Sequence, residues 1–342
     1  MDESAALHPL ITVCIPNFNG MAFIDNCLQS VLAQQGQFDL EVIVHDDHSS
    51  DGSLEHIRTA YPSITIIDSP KNVGFCVANN RMAAAANGMY LLLLNNDAAL
   101  FPDAIPTLLK NAQRMQQPAI LSLPQYDANT GALLDIGSRL DPFLNPVPNL
   151  VSTRYDVGMV AGACLWIDKS LWVALGGFPP WFESIGEDLY LCCRARRCGY
   201  AVCALGESGY HHHVGASFGG GKTQHGKLLT NFRRRALSER NKTFVMVMCF
   251  PSPVMYLWLP LHLIFLLLEG LVLSVLLGNP NFWRQIYWPI IPALWLQRMK
   301  LNTTRAEILL VAGNRRLHFF SVFNWCPHKL TLLLRHGLPT VR

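Results

Sequence analysis

The triplet Asn95-Asn96-Asp97 follows directly on the apolar run Tyr90-Leu91-Leu92-Leu93-Leu94, so a metal-capable carboxylate stands where a buried strand should run out. In open α/β sheets, ligands bind beyond the carboxyl ends of the strands. A hard divalent cation placed there takes oxygen ligands and bridges to the phosphates of a substrate. Three further segments carry related chemistry: Pro16-Asn17-Phe18-Asn19-Gly20, the run Asp46 to Ser53, and Asn72-Val73-Gly74-Phe75 followed by Asn79. Asp accepts from a base N–H or from ribose hydroxyls, and Asn and backbone N–H groups hold sugars and phosphates. Taken singly, each is turn chemistry; Asp51-Gly52-Ser53 is a sufficient helix start. Taken together at one edge of one sheet, they can converge on a single ligand.

A second acidic element is Gly186-Glu187-Asp188, a glycine turn followed by two carboxylates at the start of a helical pattern. Acidic residues favour a helix N-terminus on electrostatic grounds alone. Trp181 and Phe182 just upstream could stack on a sugar ring or fill the core. His211-His212-His213 invites a zinc reading, which strand geometry opposes because adjacent side chains point to opposite faces. Arg233, Arg234 and Arg235 could meet phosphate or acidic headgroups, or simply be solvated. The octet Ala216 to Thr223 approaches a phosphate-loop pattern, but Ala replaces the first glycine and the preceding residues are polar. A glycine-rich lid over the ligand is the more economical expectation.

The elements that must position these groups follow from periodicity. Strand-like runs at 10–15, 40–44, 64–67 and 90–94 alternate with helical patterns at 21–34, 53–60 and 77–87. That rhythm predicts an α/β fold with a mostly parallel sheet and puts the first set of polar segments at one sheet edge. Beyond it, the sequence predicts a helix over 102–116, loops and short strands over 124–158, a strand over 160–167 and a helix over 187–198 capped by Gly199.

In their order and wording these segments resemble the family 2 glycosyltransferases of the GT-A fold. The resemblance runs over residues 10–245 and rests on Val13 to Gly20, Asp46 to Ser53, Asn72 to Phe75, Leu94 to Asp97, Gly176-Gly177-Phe178, Gly186 to Asp188 and His212 to Ser217. Within the family the chain looks closest to the rhamnosyltransferase-like branch that builds bacterial surface polysaccharide. The resemblance implies a Rossmann-like nucleotide-diphospho-sugar transferase. Asp46 would bind the base, with Pro16 and Asn17 lining its pocket, and Asn19, Asn72, Gly74 and Asn79 would lie along the nucleotide and donor sugar. Asp97 would be the main ligand of Mg²⁺ or Mn²⁺, joined by His212 and by Asn95, which stands in for the first aspartate of a D-x-D element and leaves the site one charge short. Asp188 would be the general base, taking the proton of the acceptor hydroxyl with inversion at the anomeric carbon. Glu187 and Trp181 would contact the acceptor. Arg240-Asn241 resembles a further family element.

The 342 residues are half hydrophobic, and a net charge of +3 is too mild a basic balance to suggest nucleic acid. Ten cysteines contain no C-x-x-C pair and read as small apolar residues in a reducing compartment. Met1-Asp2-Glu3-Ser4 does not open a secretory signal. From Phe244 to Leu277 the only charged residue is Glu269, and Leu261 to Leu277 falls just short of the ~20 residues that a straight transmembrane helix needs. Pro251, Pro253 and Pro260 are expected to break the first half of that stretch. Trp283, Trp288 and Trp295 lie among Arg284, Arg298, Lys300 and Arg305, a mixture suited to a bilayer surface. The expected organisation is a catalytic domain over 1–243, a membrane-associating apolar helical region over 244–300 and a basic tail over 301–342. The expected setting is the cytoplasmic side of the cell membrane, peripheral or hairpin-anchored, with a nucleotide-diphosphate sugar and a lipid-linked or saccharide acceptor as partners; a buried helix closing the core is the alternative. Two rival readings are a nucleotidyltransferase and a non-catalytic sugar- or lipid-binding relative. The first would want a basic glycine-rich loop near the N-terminus, which Pro16 to Gly20 does not supply, and the second sits poorly with Asp46, Asp97 and Asp188 together.

Overall fold

The computed structural model describes residues 10–215, 220–224, 227–312, 316–337 and 340–341. The main sheet has seven strands: β1 Leu10–Asn17, β2 Asp39–Asp46, β3 Thr65–Asp68, β4 Tyr90–Leu94, β5 Ala119–Ser122, β6 Cys164–Asp168 and β7 Ala201–Ala204. Their spatial order is β7-β5-β6-β4-β1-β2-β3. Strands β1 to β4 run parallel, as do β5 and β7, while β6 is antiparallel to both of its neighbours. A strand covered on both faces needs a near-continuous apolar run. β1 and β4 have one: Ile11, Val13, Ile15, Leu92 and Leu94 enter one core layer, and Cys14, Leu91 and Leu93 the other. Helices α1 Ile24–Leu32, α2 Ser53–Ala60 and α3 Phe75–Ala85 make the crossovers between the parallel strands. α1 shows why, burying Ile24, Cys27, Leu28 and Val31 at helical spacing.

The parallel connections bring the ends of β1, β2, β3 and β4 to one edge. A second, four-stranded sheet sits beside that edge, with Tyr210–His212 paired between Ala98–Leu100 and Gln125–Asp127. The glycine-rich segment does not start a helix. Gly220–Gln224 is a strand paired with Lys227–Thr230, which removes the phosphate-loop reading, and residues 216–219, including Ser217, lie outside the described residues.

The C-terminal third differs from expectation in three ways, each with a packing cause. First, helix α5 Phe232–Cys249 runs unbroken through residue 243 and buries every residue from Asn241 to Cys249. The shift to apolar sequence at Phe244 therefore falls inside a helix that enters the core. α5 packs on α4 Glu187–Cys198. Second, the prolines do not break the next helix. α6 Ser252–Leu276 is continuous, with Pro251 at its N-cap, Pro253 in its first turn and Pro260 inside; prolines at a helix start give up N–H groups that have no helical partner. Third, residues beyond 300 are not a free tail. α7 Arg298–Ala312 buries Leu301, Arg305, Ile308 and Ala312, and Phe319, Val322 and Phe323 join the core. Arg305 donates to the carbonyls of Val247 and Phe250 (2.6 and 2.8 Å), satisfying the end of α5.

Arg196 ties this C-terminal strap to α4. It is fully buried on α4 and donates to Asp156, to the Val157 carbonyl (3.0 Å), to the His318 carbonyl (2.8 Å) and to Ser321 Oγ (3.1 Å). The Asp156 side chain is half exposed, so the ion pair itself adds little. The loss on truncation comes from the carbonyls left unpaired. Arg196→Ala is expected to destabilise the fold by about 3 kcal/mol, read as a lowered Tm in a thermal scan.

Candidate active site

Beyond Leu94 the chain turns over the sheet edge, and each of the next three residues finds a different anchor. The Asn95 N–H donates to the Ala163 carbonyl (3.0 Å) and Asn96 Nδ2 donates to Asn17 Oδ1 (3.0 Å). Asp97 is buried, with its Oδ1 3.1 Å from His212 Nε2. The small sheet makes that contact, because its register sets His212 opposite Ala98. The three histidines diverge: His211 lies against Phe101 and Tyr126, His212 against Asp97, and His213 against Phe23.

Two buried polar atoms here lack hydrogen-bond partners, Asn95 Oδ1 and His212 Nδ1. An unpaired buried acceptor is costly. An orphaned amide oxygen, a buried carboxylate and an imidazole at the end of one strand form a donor set that suits Mg²⁺ or Mn²⁺. Among the described residues no three His, Cys, Asp or Glu side chains cluster to hold a metal. A cation held by Asp97, Asn95 and His212 would therefore need further oxygens from phosphate or water.

A second polar cluster is built on Asp46 at the end of β2. Its carboxylate accepts from Asn17 Nδ2 (2.8 Å), from the Ser49 N–H (2.9 Å) and from Ser49 Oγ (2.6 Å). Asn17 also donates to Ser53 Oγ (2.9 Å) and accepts from Asn96. One polar chain thus runs from β2 through β1 to the Asp97 turn. Gly20 is required beside it, since a Cβ there would lie 2.2 Å from both Asn17 Oδ1 and Asn96 Nδ2. Asn17 and Asp46 are buried with their polar atoms engaged in the network, and Asn79 is buried with Nδ2 on the Phe75 carbonyl (2.9 Å). Asn79 Oδ1, unlike the polar atoms of Asn17 and Asp46, is buried without a hydrogen-bond partner. The groups at the surface are half-buried Pro16 and Gly74 and exposed Asn19 and Asn72. Asn19 holds φ +50 while its Oδ1 accepts from the Ser50 N–H (2.8 Å). Asp47 accepts from the N–H groups of Val73 and Gly74 (2.6 and 2.9 Å), which fastens the loop after β2 to the loop after β3.

Across the cleft, Gly186 with φ +92 turns the chain into α4, whose first residues are buried Glu187 and half-buried Asp188. Asp188 Oδ2 accepts from the Gly162 N–H (3.1 Å) and Oδ1 from the Leu189 N–H (2.7 Å). Burial raises both carboxyls above their usual range, and the Asp188 charge raises Glu187 further; the N–H groups on Asp188 and the Arg234 guanidinium oppose this. Glu187 Oε2 is buried without a hydrogen-bond partner. Adjacent carboxyls in such a site titrate as a pair. The donors place the pair's negative charge on Asp188 and its proton on Glu187. Trp181 is half-buried against Phe182 and Phe244, with Lys300 Nζ 5.8 Å from its ring centroid, so core packing occupies much of its surface.

Residues 12–171 match the family described as glycosyl transferase family 2. That match covers just under half of the 342 residues, so the likeness to family 2 is a likeness of this segment. The chain's sheet and helices have the GT-A fold: the crystal structure of GalNAc-T7 with UDP, GalNAc and Mn²⁺ superposes with a TM-score of 0.63 over 99% of this chain and 60% of that one, at 14% identity. A chondroitin synthase of Pasteurella multocida is 36% identical over 113 residues, which is 32% of this chain and 12% of that protein. An O-antigen biosynthesis protein of Myxococcus xanthus is 24% identical over 226 residues, 61% of this chain and 18% of that one. The chain spans between 11% and 34% of the first curated relatives it matches.

The family 2 match includes Asp46 and Asp97 but stops short of Glu187 and Asp188, so the second half of the site rests on geometry. Sequence reasoning had missed three members of that geometry. Gly162 fell inside the strand expected over 160–167, whereas the strand begins at Cys164 and Gly162 lies in the turn before it. Asp47 was hidden as the second of two adjacent aspartates. Asn241 was noticed only beside Arg240, yet it bonds the turn that precedes Glu187 and Asp188.

Proposed function

We propose that the chain is an inverting, metal-dependent glycosyltransferase. It moves a hexose, rhamnose first among the candidates, from a nucleotide-diphosphate donor to a lipid-linked or polysaccharide acceptor in bacterial surface polysaccharide synthesis. The observation that carries this reading is the loop at 162–163. Gly162 bonds Asp188 while Ala163 bonds the Asn95 backbone, so a phosphate-side turn and a base candidate are two hydrogen bonds apart. The likeness to a chondroitin synthase and an O-antigen biosynthesis protein supports polysaccharide as the product class. The UDP and Mn²⁺ of GalNAc-T7 support the donor and cation classes.

In this mechanism Asp188 takes the proton of the acceptor hydroxyl as that oxygen bonds to the anomeric carbon. The bond from that carbon to the diphosphate oxygen breaks on the opposite face, which inverts the configuration, and the proton ends on Asp188. One carboxylate suffices because the diphosphate is a good leaving group, whereas glycoside hydrolysis calls for a flanking pair. A divalent cation at Asp97, Asn95 and His212 would neutralise charge on the leaving diphosphate. The test is nucleotide-diphosphate release by the detergent-solubilised protein, offered UDP-, dTDP- and GDP-sugars with membrane lipid extract and Mg²⁺ or Mn²⁺. Release from one donor, dependent on extract, is the expected result. No release and no binding of any donor would overturn the reading.

Docking on the membrane face rests on α6, the one described helix long and apolar enough to cross a bilayer. It buries Met255, His262, Leu266, Gly270 and Leu273 along one stripe and exposes Leu257, Ile264, Phe265, Leu268, Leu271, Val272 and Val275. Glu269 on its inner side pairs with Arg235 (2.8 Å) and Lys329 (2.7 Å), which holds the helix lengthwise against the protein. Exposed Trp288 and Trp295, the latter under the Arg298 guanidinium (4.2 Å), border the same region. An outward apolar face with aromatic and basic edges suits docking in the plane of one leaflet. The double variant Phe265→Glu, Val272→Glu is expected to weaken binding to anionic phospholipid vesicles by about tenfold or more, measured by co-sedimentation, with Tm unchanged. Undiminished sedimentation would rule out this face.

A further inference from the structure

The turn that delivers Glu187 and Asp188 is held in an unfavourable backbone. Glu183 and Ile185 have φ +67 and +68, and Gly186 has φ +92. The left-handed region is poor for any side chain and worst for a β-branched one. Such residues persist only where their surroundings over-determine them. Here the determinant is one buried amide on α5. Asn241 Nδ2 donates to the carbonyls of Phe182 (3.0 Å), Ser184 (3.2 Å) and Ile185 (2.8 Å), so its two hydrogens serve three acceptors. Arg240 sets the amide's direction, with Nε on Asn241 Oδ1 (3.0 Å), and adds bonds to the Phe182 carbonyl (3.1 Å) and to Glu183 (3.1 Å). Gly186 lets the strands of the clamp close, since a Cβ there would stand 3.3 Å from Asn241 Cβ. The far side of the turn is fixed as well: the Glu183 carbonyl accepts from the Cys76 N–H (3.3 Å), at the start of α3 and two residues from Gly74.

We infer that Asn241 is a positioning residue that clamps the 182–186 turn and thereby sets where Asp188 stands relative to the acceptor hydroxyl. The inference rests on Asp188 being the base proposed above. Asn241 touches no reacting atom, so its loss should act on the chemical step and spare donor binding.

Asn241→Asp keeps the shape of the side chain but turns acceptors toward three carbonyls, and Asn241→Ala removes the bonds. In both, kcat is expected to fall about tenfold or more with the donor Kd within about twofold, and amide exchange at 183–188 is expected to speed up. Unchanged kcat and exchange would overturn the clamp, as would a kcat loss matched by an equal loss of donor affinity. Ile185→Gly gives a second route if those variants fold poorly. It relieves the strained φ, so it should raise Tm in the wild-type background and give less in Asn241→Ala, where the turn is no longer forced; an equal gain in both backgrounds would also overturn the clamp. If the wild-type protein transfers no sugar, the base assignment falls, and the exchange and Ile185 measurements still decide the clamp because they need no turnover.

Discussion

Asp188→Asn is expected to lower kcat for sugar transfer by about 10³-fold while leaving donor affinity within about twofold. The amide keeps the size of the side chain and can still accept from Gly162, but it takes no proton. The pH dependence should identify the charge that matters. Burial holds both Glu187 and Asp188 above the usual carboxylate range. A base must be ionised to work, so the wild-type rate should fall as pH drops through that raised value, at a higher pH than an ordinary aspartate would give. Glu187 holds its proton while Asp188 titrates, so Glu187→Gln removes no charge and its acid limb is expected to stay where the wild type's is. Stability should respond in the opposite sense. A carboxyl whose pKa is raised in the folded state contributes its stability in full below the unfolded value. That contribution is lost as pH rises through the folded one. Asp188→Asn should therefore melt above wild type at about pH 8 and converge with it toward about pH 4. Initial rates of nucleotide-diphosphate release across this range, with parallel melting curves, check both effects; wild-type turnover in Asp188→Asn would sink the assignment.

The reach of each interaction decided what could be read from the sequence. The strand ends that carry Asp46 and Asp97 were legible because they follow from short-range patterns: apolar runs, then polar turns. The partner of Asp97 came only from the resemblance, because His212 arrives through a strand pairing between distant segments that no short-range pattern marks. Hydropathy read the C-terminal third as one region, yet it holds two environments. Phe244 to Phe250 are buried in the core, while Tyr256, Leu257, Phe265 and Val275 are exposed. An apolar residue is scored alike in both, so composition could not set the boundary. Asn17 and Asp46 show the reverse case. Polar residues at strand ends read as ligand contacts, but these two spend their polar atoms on each other and on Ser49 and Ser53. Asn241 stood out only through the resemblance carried by Arg240-Asn241, and its part stayed unread because it lies in three carbonyls on another element.

The second large effect belongs to the Asp97 turn. Asp97→Asn is expected to reduce kcat/KM by about 10² to 10³-fold, the several kcal/mol a cation supplies to a leaving diphosphate, and to abolish saturable Mn²⁺ binding. The converse variant is more discriminating. Asn95 carries an orphaned buried oxygen where a second carboxylate would add a charge. Asn95→Asp should tighten Mn²⁺ binding, because two carboxylates hold a hard cation better than a carboxylate and an amide. In the cation-free protein it should lower Tm, because the new charge is desolvated beside buried Asp97 with nothing to neutralise it. Adding Mn²⁺ should then raise Tm more in Asn95→Asp than in wild type, by mass action on the folded state. Calorimetric titration with Mn²⁺ and melting curves with and without the cation read both signs. A variant destabilised equally with and without Mn²⁺ would mean that Asn95 Oδ1 does not face a cation, and that the metal, if the enzyme uses one, is held by Asp97, His212 and the donor's own phosphates.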